Sequence, residues 1–221
     1  MQISDDLLRL REDYAACKEC PLHKYRRQSI KGAGNTTDPR VMFILDRFDP
    51  RDVSYGYVLQ DPNGQRNVLD TILSYLGRRP EDYYYSPIVA CPPRYIHTIE
   101  DMAPLPKTPE VVKCGERVAL EVAYLQPHVV IACGQSAVKS ALPKQTPQVL
   151  TSAGSMFPMM VPGQYVPYPV PVLITHSLHT LSKLPPDDQP ELWHKTCEHI
   201  SAALQVADRL HDLQLPGVTH G

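Results

Sequence analysis

The chain has 221 residues, which is long enough for one sizeable hydrophobic core and short for two. Hydrophobic residues make up 43% of it and charged residues 21%, a globular composition, and no apolar run is long enough to cross a bilayer. The formal net charge of −2 excludes a surface that attracts polyanions everywhere, so nucleic-acid binding would need a local concentration of basic residues.

The predicted elements alternate between helices and short apolar strands. In chain order they are a helix over 3–16, a strand over 41–45, a helix over 67–76, a strand over 84–90, a helix over 109–125, a strand over 129–132, a helix over 134–142, a strand over 170–175 and a helix over 191–210. This alternation predicts a three-layer α/β/α domain around a mostly parallel, four-stranded central sheet. We assign residues 1–210 to this single domain and 211–221 to a C-terminal tail.

Polar and reactive residues follow the predicted strands at their carboxyl ends. The strands end at Asp46, at Cys91, at Gly134-Gln135 and at His176. Ligands of mostly parallel sheets bind in the crevice outside the carboxyl ends of the strands. We therefore expect the functional residues to converge there.

Two surface segments each have two interpretations. The basic stretch Lys24–Arg27, with Lys31 nearby, is the best local candidate for a DNA contact and otherwise a solvated loop. The proline-rich segment 145–171, with Tyr165 and Tyr168, is expected to be extended; it either lines a wider pocket or packs over the edge of the sheet.

The six cysteines are not expected to form disulfides. Residues 1–13 lack the basic and apolar regions of a signal peptide, so we expect an intracellular, cytoplasmic protein, in a host cytoplasm if the source is viral. No membrane partner is expected, and the sequence does not indicate an oligomeric state.

Four of the cysteines are candidates for one metal centre. Cys17 and Cys20 form a Cys-x2-Cys pair in a loop, and the more distant Cys91 and Cys114 would complete a four-thiolate site if the fold brings them together. Zinc accepts the same four sulfurs, so the ligands alone do not choose the metal. Cys133 and Cys197 are interpreted as small buried hydrophobic residues.

Several motifs follow one another in a characteristic order. They are Cys17–Leu22 (CKECPL), the basic and glycine-containing segment 26–34, the apolar strand 41–44, Cys91–Arg94 (CPPR), the segment 127–137 with Gly134, and Thr175-His176-Ser177. This order resembles the family 4 (iron–sulfur) uracil-DNA glycosylases over about residues 12–205. The resemblance implies a uracil-DNA glycosylase-like α/β/α domain, a structural [4Fe-4S] cluster on the four cysteines, and a pocket that faces DNA. The preference for a cluster over zinc rests on this resemblance.

The pocket motifs depart from the family pattern. Of the family's first motif, Gly-Glu-Ala-Pro-Gly, only an acid survives, as Asp46; the region of its uracil-stacking aromatic ring reads Gly56–Leu59 here. Pro87 stands where the family has the asparagine that reads uracil, and proline has no side-chain donor or acceptor. The family's histidine corresponds to His176, or to His179 if the loop has slipped. Efficient uracil excision is therefore not expected.

The surviving polar residues suggest how base excision would proceed. We expect Asp46 to position water or stabilise a sugar cation, and His176 or His179 to donate to the leaving base, in a pocket lined by Leu59, Pro87, Gly134 and Gln135. Asp49 and Asp52 extend the acidic cluster, which also makes Mg²⁺ a candidate cofactor for a phosphorylated group. The alternative is a solvated loop whose acids pair with Arg47 and Arg51.

Three functional hypotheses follow from the sequence. The first is an iron–sulfur protein that acts on DNA, recognises a flipped non-uracil or modified pyrimidine and cleaves its N-glycosidic bond. The second is a transferase that adds a group to an activated, modified pyrimidine in DNA, as in viral thymidine hypermodification. The third is a non-catalytic module that binds DNA or a protein partner.

Overall fold

The computed structural model describes residues 4–92 and 105–213, with a six-stranded sheet at its centre. The strands are β1 (Ala33–Gly34), β2 (Val41–Leu45), β3 (Tyr84–Pro87), β4 (Val129–Cys133), β5 (Met156–Val161) and β6 (Tyr168–Thr175). Their order across the sheet is β1-β3-β2-β4-β6-β5. The four predicted strands form the parallel centre, and β1 and β5 add an antiparallel strand at each edge, so the predicted number of four was too low.

Eight α-helices connect and cover these strands in the described part of the chain. They are α1 (Asp5–Ala16), α2 (Pro50–Tyr55), α3 (Gln65–Tyr75), α4 (Thr108–Leu125), α5 (Gln135–Ala141), α6 (Val149–Ser152), α7 (Leu178–Lys183) and α8 (Pro190–Leu213). The short helices α2, α6 and α7 were not predicted. The last helix, α8, continues three residues past the predicted domain limit at 210.

Both faces of the sheet are covered. Every residue of β2 and of β4 is buried, although side chains alternate between the two faces of a strand. A continuous apolar sequence such as Val41–Leu45 is stable only where helices bury both faces, which confirms the α/β fold class. In the described residues no helix has the length and apolar character needed to span a membrane.

The parallel register brings the strand ends together. Leu45 pairs with Pro87 of β3 on one side and with Cys133 of β4 on the other, and Cys133 pairs in turn with Thr175 of β6. The residues that follow these four positions therefore lie along one edge of the sheet, as the sequence predicts.

The proline-rich segment extends the sheet. β5 pairs antiparallel with β6, with Pro158 opposite Pro171. Pro158 is tolerated because β5 is an edge strand with one unpaired side, and Pro171 because it precedes the part of β6 that pairs with β4. Met159 is buried whereas Tyr165 is 86% exposed. Of the two interpretations of this segment, the structure therefore favours packing at the sheet edge.

Candidate functional site

Asp46, the first residue after β2, is at the centre of the strand-end site. Its carboxylate is buried, and Oδ1 accepts a hydrogen bond of 2.9 Å from the hydroxyl of Ser177. Gly134 lies against the other oxygen: a Cβ at Gly134 would lie 2.2 Å from Asp46 Oδ2, and the φ of Gly134 is +94°. Only glycine allows this approach, so the ends of β2, β4 and β6 meet around one carboxylate.

Burial makes the Asp46 carboxylate costly to ionise. Removal from water raises its pKa to about 6, while the Ser177 hydrogen bond and the charges of Arg47 and His179 act in the opposite direction. The group is therefore ionised for the most part at neutral pH and takes up a proton in mild acid.

Ser177 is a site residue that the sequence analysis missed. Its side chain donates to Asp46 and also accepts from the backbone N–H of Thr180, which caps the N-terminus of α7. A serine between a strand and a helical segment is a typical N-cap. That capping pattern was the available signal, but α7 itself was not predicted.

The two candidate histidines have different surroundings. The Nδ1 of His179, on α7, lies 3.7 Å from Asp49 Oδ1, close enough for an ion pair when the ring is protonated and too far for a hydrogen bond. This buried nitrogen has no hydrogen-bond partner among the described residues. The Nδ1 of His176 instead lies 3.0 Å from Thr196 Oγ1 on α8.

His176 belongs to a cluster that connects β6 to α8. Its ring lies 5.4 Å from that of His199, whose Nδ1 contacts Thr175 Oγ1 at 3.2 Å. Burial, followed by the charges of His199 and Lys195, lowers the pKa of His176. The structure therefore gives His179, rather than His176, the closer electrostatic connection to Asp46.

Asp49 and Asp52 mainly organise the backbone after β2. Asp52 is buried, and its two oxygens accept from the backbone N–H groups of Gln60 at 2.7 Å and Asp49 at 2.9 Å. Asp49 Oδ2 accepts from the backbone N–H of Gln65 at 3.0 Å. The alternative of a solvated acidic loop is therefore wrong, because all three aspartates, Asp46 included, are buried.

Burial also raises the pKa of Asp52, to about 7, against the effect of its two backbone hydrogen bonds. Within residues 4–92 and 105–213, no three His, Cys, Asp or Glu side chains lie close enough together to hold one metal ion. The proposed Mg²⁺ site therefore has no assembled set of ligands among these residues.

Leu59, one of the predicted pocket-lining residues, has an unusual backbone conformation. Leu59 is a non-glycine residue with a φ of 61°, fixed between hydrogen bonds from Val58 N to Lys31 O and from Gln60 N to Asp52. Such backbone strain persists where the surrounding structure imposes it. The Leu59 side chain is buried.

Pro87 and Gln135 offer little hydrogen-bonding capacity to a ligand. The Pro87 carbonyl accepts from the guanidinium of Arg117, and the Gln135 amide donates to Pro147 O at 3.1 Å and accepts from Val149 N at 2.9 Å. Gln135 therefore anchors the segment before α6.

The four candidate cysteine ligands come from three separate parts of the fold. Cys17 and Cys20 follow α1, Cys91 follows β3, and Cys114 lies on α4. The charges of Cys114 and Cys17 each raise the pKa of Cys20, and those of Cys114 and Cys20 raise the pKa of Cys91, after the larger effect of burial. These mutual effects indicate that the thiols lie near one another, although among the described residues no three of them are close enough to hold a single metal ion. The rest of the CPPR motif, Pro93-Arg94, lies outside the described residues.

Two arginines contact the thiols. Arg26 donates to Cys91 Sγ at 3.0 Å and to the backbone carbonyls of Tyr14 and Ala15, at 3.1 Å and 2.5 Å. Arg117 is buried, lies near enough to Cys114 for the two charges to interact, and forms an ion pair of 2.8 Å with the buried Glu121. Such donors favour thiolates over thiols, as metal ligation requires.

Comparison with known proteins finds sequence similarity to curated glycosylases. No family model matches it. It is similar to the type-4 uracil-DNA glycosylases of Pyrobaculum aerophilum (29% identity over 137 residues, 62% of this chain and 65% of the relative), Archaeoglobus fulgidus (25% over 139, 63% of each) and Thermotoga maritima (28% over 122, 55% and 58%). The matches thus span less than two thirds of each relative's length. The chain is thus similar in sequence to type-4 uracil-DNA glycosylases over part of its length, and its α/β fold agrees with that similarity.

Proposed function

We propose that the protein acts on DNA, takes a flipped pyrimidine other than uracil into the strand-end site, and hydrolyses its N-glycosidic bond. One observation carries the proposal: the buried Asp46 carboxylate lies against Gly134 and Ser177, where three parallel strands end. Type-4 uracil-DNA glycosylases are the relatives of this chain, and their name states the reaction class.

Asp46 and His179 are suited to stabilise the two charges that develop during base excision. As the glycosidic bond breaks, the sugar becomes cationic and the leaving base anionic. An ionised Asp46 stabilises the cation or orients water, and Ser177 holds the carboxylate in place through its 2.9 Å hydrogen bond. The buried Nδ1 of His179, which makes no hydrogen bond within the described structure, supplies a donor or acceptor for the substrate.

The base specificity is proposed to differ from that of the relatives. Pro87 offers no side-chain hydrogen bond, and its carbonyl is already taken by Arg117. A site that loses hydrogen bonds to its substrate forfeits up to about 10⁴–10⁵-fold discrimination. The side chains of Leu59 and Pro87 are apolar, and apolar contacts suit a pyrimidine with an added substituent better than uracil.

We also propose that Cys17, Cys20, Cys91 and Cys114 bind a [4Fe-4S] cluster. A cluster would take one thiolate on each of its four irons, so this proposal does not require three thiols around a single metal ion. Bound there, the cluster would join the loop after α1 to β3 and α4. Arg26 and Arg117 would offset its negative charge through their contacts with Cys91 and Cys114.

The activity is tested with duplexes that each contain one uracil, one thymine, one 5-hydroxymethyluracil or one phosphorylated 5-hydroxymethyluracil. Mass spectrometry of the products measures free base, abasic sites and altered nucleosides. We expect free base from a substituted pyrimidine and little from uracil, and no release by Asp46→Ala or His179→Ala with the cluster absorbance retained. The matched control is Asp187→Ala, which also removes a carboxylate, but an exposed one that is not part of the proposed site.

The other hypotheses predict different products. A new nucleoside without free base would support group transfer, and binding without any product would support the non-catalytic module. Full activity in both Asp46→Ala and His179→Ala would refute the assignment of the site.

A further inference from the structure

A basic cavity lies between the loop before β1 and the C-terminal end of α2. Its volume is about 380 Å³, and its lining includes Arg26, Arg27, Lys31, His23, Tyr55 and Tyr57. Three of the lining residues are lysine or arginine and none is aspartate or glutamate. In a chain with a net charge of −2, this is a local concentration of positive charge.

The cations of the cavity are not all equally available. Arg26 is held by Tyr14, Ala15 and Cys91. Arg27 is exposed, and neither it nor Lys31 forms an ion pair with a carboxylate within the described residues. These two side chains can neutralise a bound anion without giving up an existing carboxylate partner.

Two tyrosine rings stand beside these cations. Tyr55 is 66% exposed and Tyr57 is 39% exposed, and Lys31 Nζ lies 5.4 Å from the centroid of the Tyr57 ring. Cations combined with exposed aromatic rings are the composition of surfaces that bind single-stranded nucleic acid, where rings stack on bases and cations neutralise phosphates.

Contacts fix the walls of the cavity and connect them to the segment that leads to Leu59. Gln28 donates to the carbonyls of Val53 and Ser54, at 3.0 Å and 3.1 Å, and so fastens the basic loop to the end of α2. Lys31 and Tyr57 form a parallel bridge, and Tyr57 is only two residues before Leu59. A strand whose flipped base faced Leu59 would therefore pass this cavity.

We propose that the cavity binds the DNA strand next to the flipped nucleotide, with Arg27 and Lys31 on its phosphates and Tyr57 stacked on a neighbouring base. This inference rests on the proposed function for its ligand, DNA. It goes beyond that function because it assigns a second binding site, outside the strand ends.

The test measures binding to a single-stranded oligonucleotide of ordinary thymines by fluorescence anisotropy over a range of salt concentrations. This probe contains no modified base, so binding does not depend on base recognition or cleavage. The variants are Arg27→Gln/Lys31→Gln, Tyr57→Leu and Tyr57→Phe. The matched control, Lys144→Gln/Arg209→Gln, also removes one lysine and one arginine, both exposed and both outside the cavity.

The expected results separate the two kinds of contact. Arg27→Gln/Lys31→Gln should reduce the slope of log K against log salt by about 1.4, since each phosphate contact on a single strand contributes about 0.7. Tyr57→Leu should weaken binding about 10-fold with little change of slope, and Tyr57→Phe should restore the parental affinity.

Unchanged slopes and affinities in the cavity variants, with a parent that binds DNA, would overturn this inference and leave the proposed function standing. A folded parent that binds no DNA at all would overturn both.

Discussion

Replacing Asp46 by Asn should make the folded protein more stable while removing its proposed activity. The side chain is buried at the end of β2 with one side-chain donor, the hydroxyl of Ser177. Asparagine has nearly the same shape, accepts the same hydrogen bond through its carbonyl oxygen, and cannot ionise. The substitution therefore isolates the cost of holding a charge at this position.

The magnitude follows from the pKa of Asp46, which burial raises to about 6. In an unfolded chain the pKa is about 3.9. The folded state thus binds the proton more tightly, so the contribution of Asp46 to stability falls as pH rises between the two values. The cost of ionisation is about 1.5 kcal/mol at pH 5 and approaches about 3 kcal/mol above pH 7.

Urea denaturation of the parent and of Asp46→Asn, followed by circular dichroism at pH 5 and at pH 7.5, measures this cost. The gain in the free energy of unfolding should be about 1.5 kcal/mol larger at the higher pH. A gain that is equal at both pH values, or a loss of stability at pH 7.5, would refute the reasoning. Ser177→Ala is the companion variant: removing the donor should raise the pKa of Asp46 further.

Three further changes test other parts of the site. Gly134→Ala should destabilise the fold by about 2–4 kcal/mol in urea denaturation, because its Cβ would lie 2.2 Å from Asp46 Oδ2 at a φ of +94°; an unchanged midpoint would contradict the packing. Arg117→Met should cost about 3–5 kcal/mol by leaving Glu121 buried and unpaired, and adding Glu121→Gln should recover part of the loss. Cys114→Ser should remove the brown colour and most of the iron from anaerobically purified protein, whereas Cys197→Ser should leave both unchanged; equal iron in the two variants would contradict the ligand assignment.

The parallel centre of the fold was predictable because its sequence signal is strong. The Val41–Leu45 and Val129–Cys133 segments are continuous apolar runs, and only strands buried on both faces need them. Strand ends of a parallel sheet lie on one edge, so the meeting of Asp46 and Gly134 could be expected from sequence order alone.

The missed elements have weak local signals. β5 contains Pro158 and pairs with a strand that contains Pro169 and Pro171, and proline normally argues against strand structure. The pairing is stable because Pro158 lies on the edge strand, Pro169 and Pro171 precede the part of β6 that pairs with β4, and Met159 and Val161 are buried. Local propensity could not reveal this, since the stabilising contacts are the pairing with β6 and packing against α4.

The same limit applies to α7 and to the choice between the two histidines. α7 has only six residues, and its N-cap, Ser177, directly follows His176. Once a helix begins at Leu178, His179 lies on its first turn near Asp49, and His176 is left beside α8. From the sequence, either histidine was a candidate for the residue that contacts the leaving base. The start of a short helix determines which of the two lies near the aspartates.

A raised pKa alone does not separate a reactive carboxylate from a structural one in this molecule. Burial raises the pKa of both Asp46 and Asp52, to about 6 and about 7. Asp52 has a backbone donor on each oxygen, so a ligand would have to break a hydrogen bond to reach it. Asp46 accepts a side-chain hydrogen bond on Oδ1, and its Oδ2 occupies the space that a side chain at Gly134 would take. The number of satisfied acceptors, more than the shift in pKa, is therefore the reason for proposing Asp46 rather than Asp52 as the carboxylate that acts on a substrate.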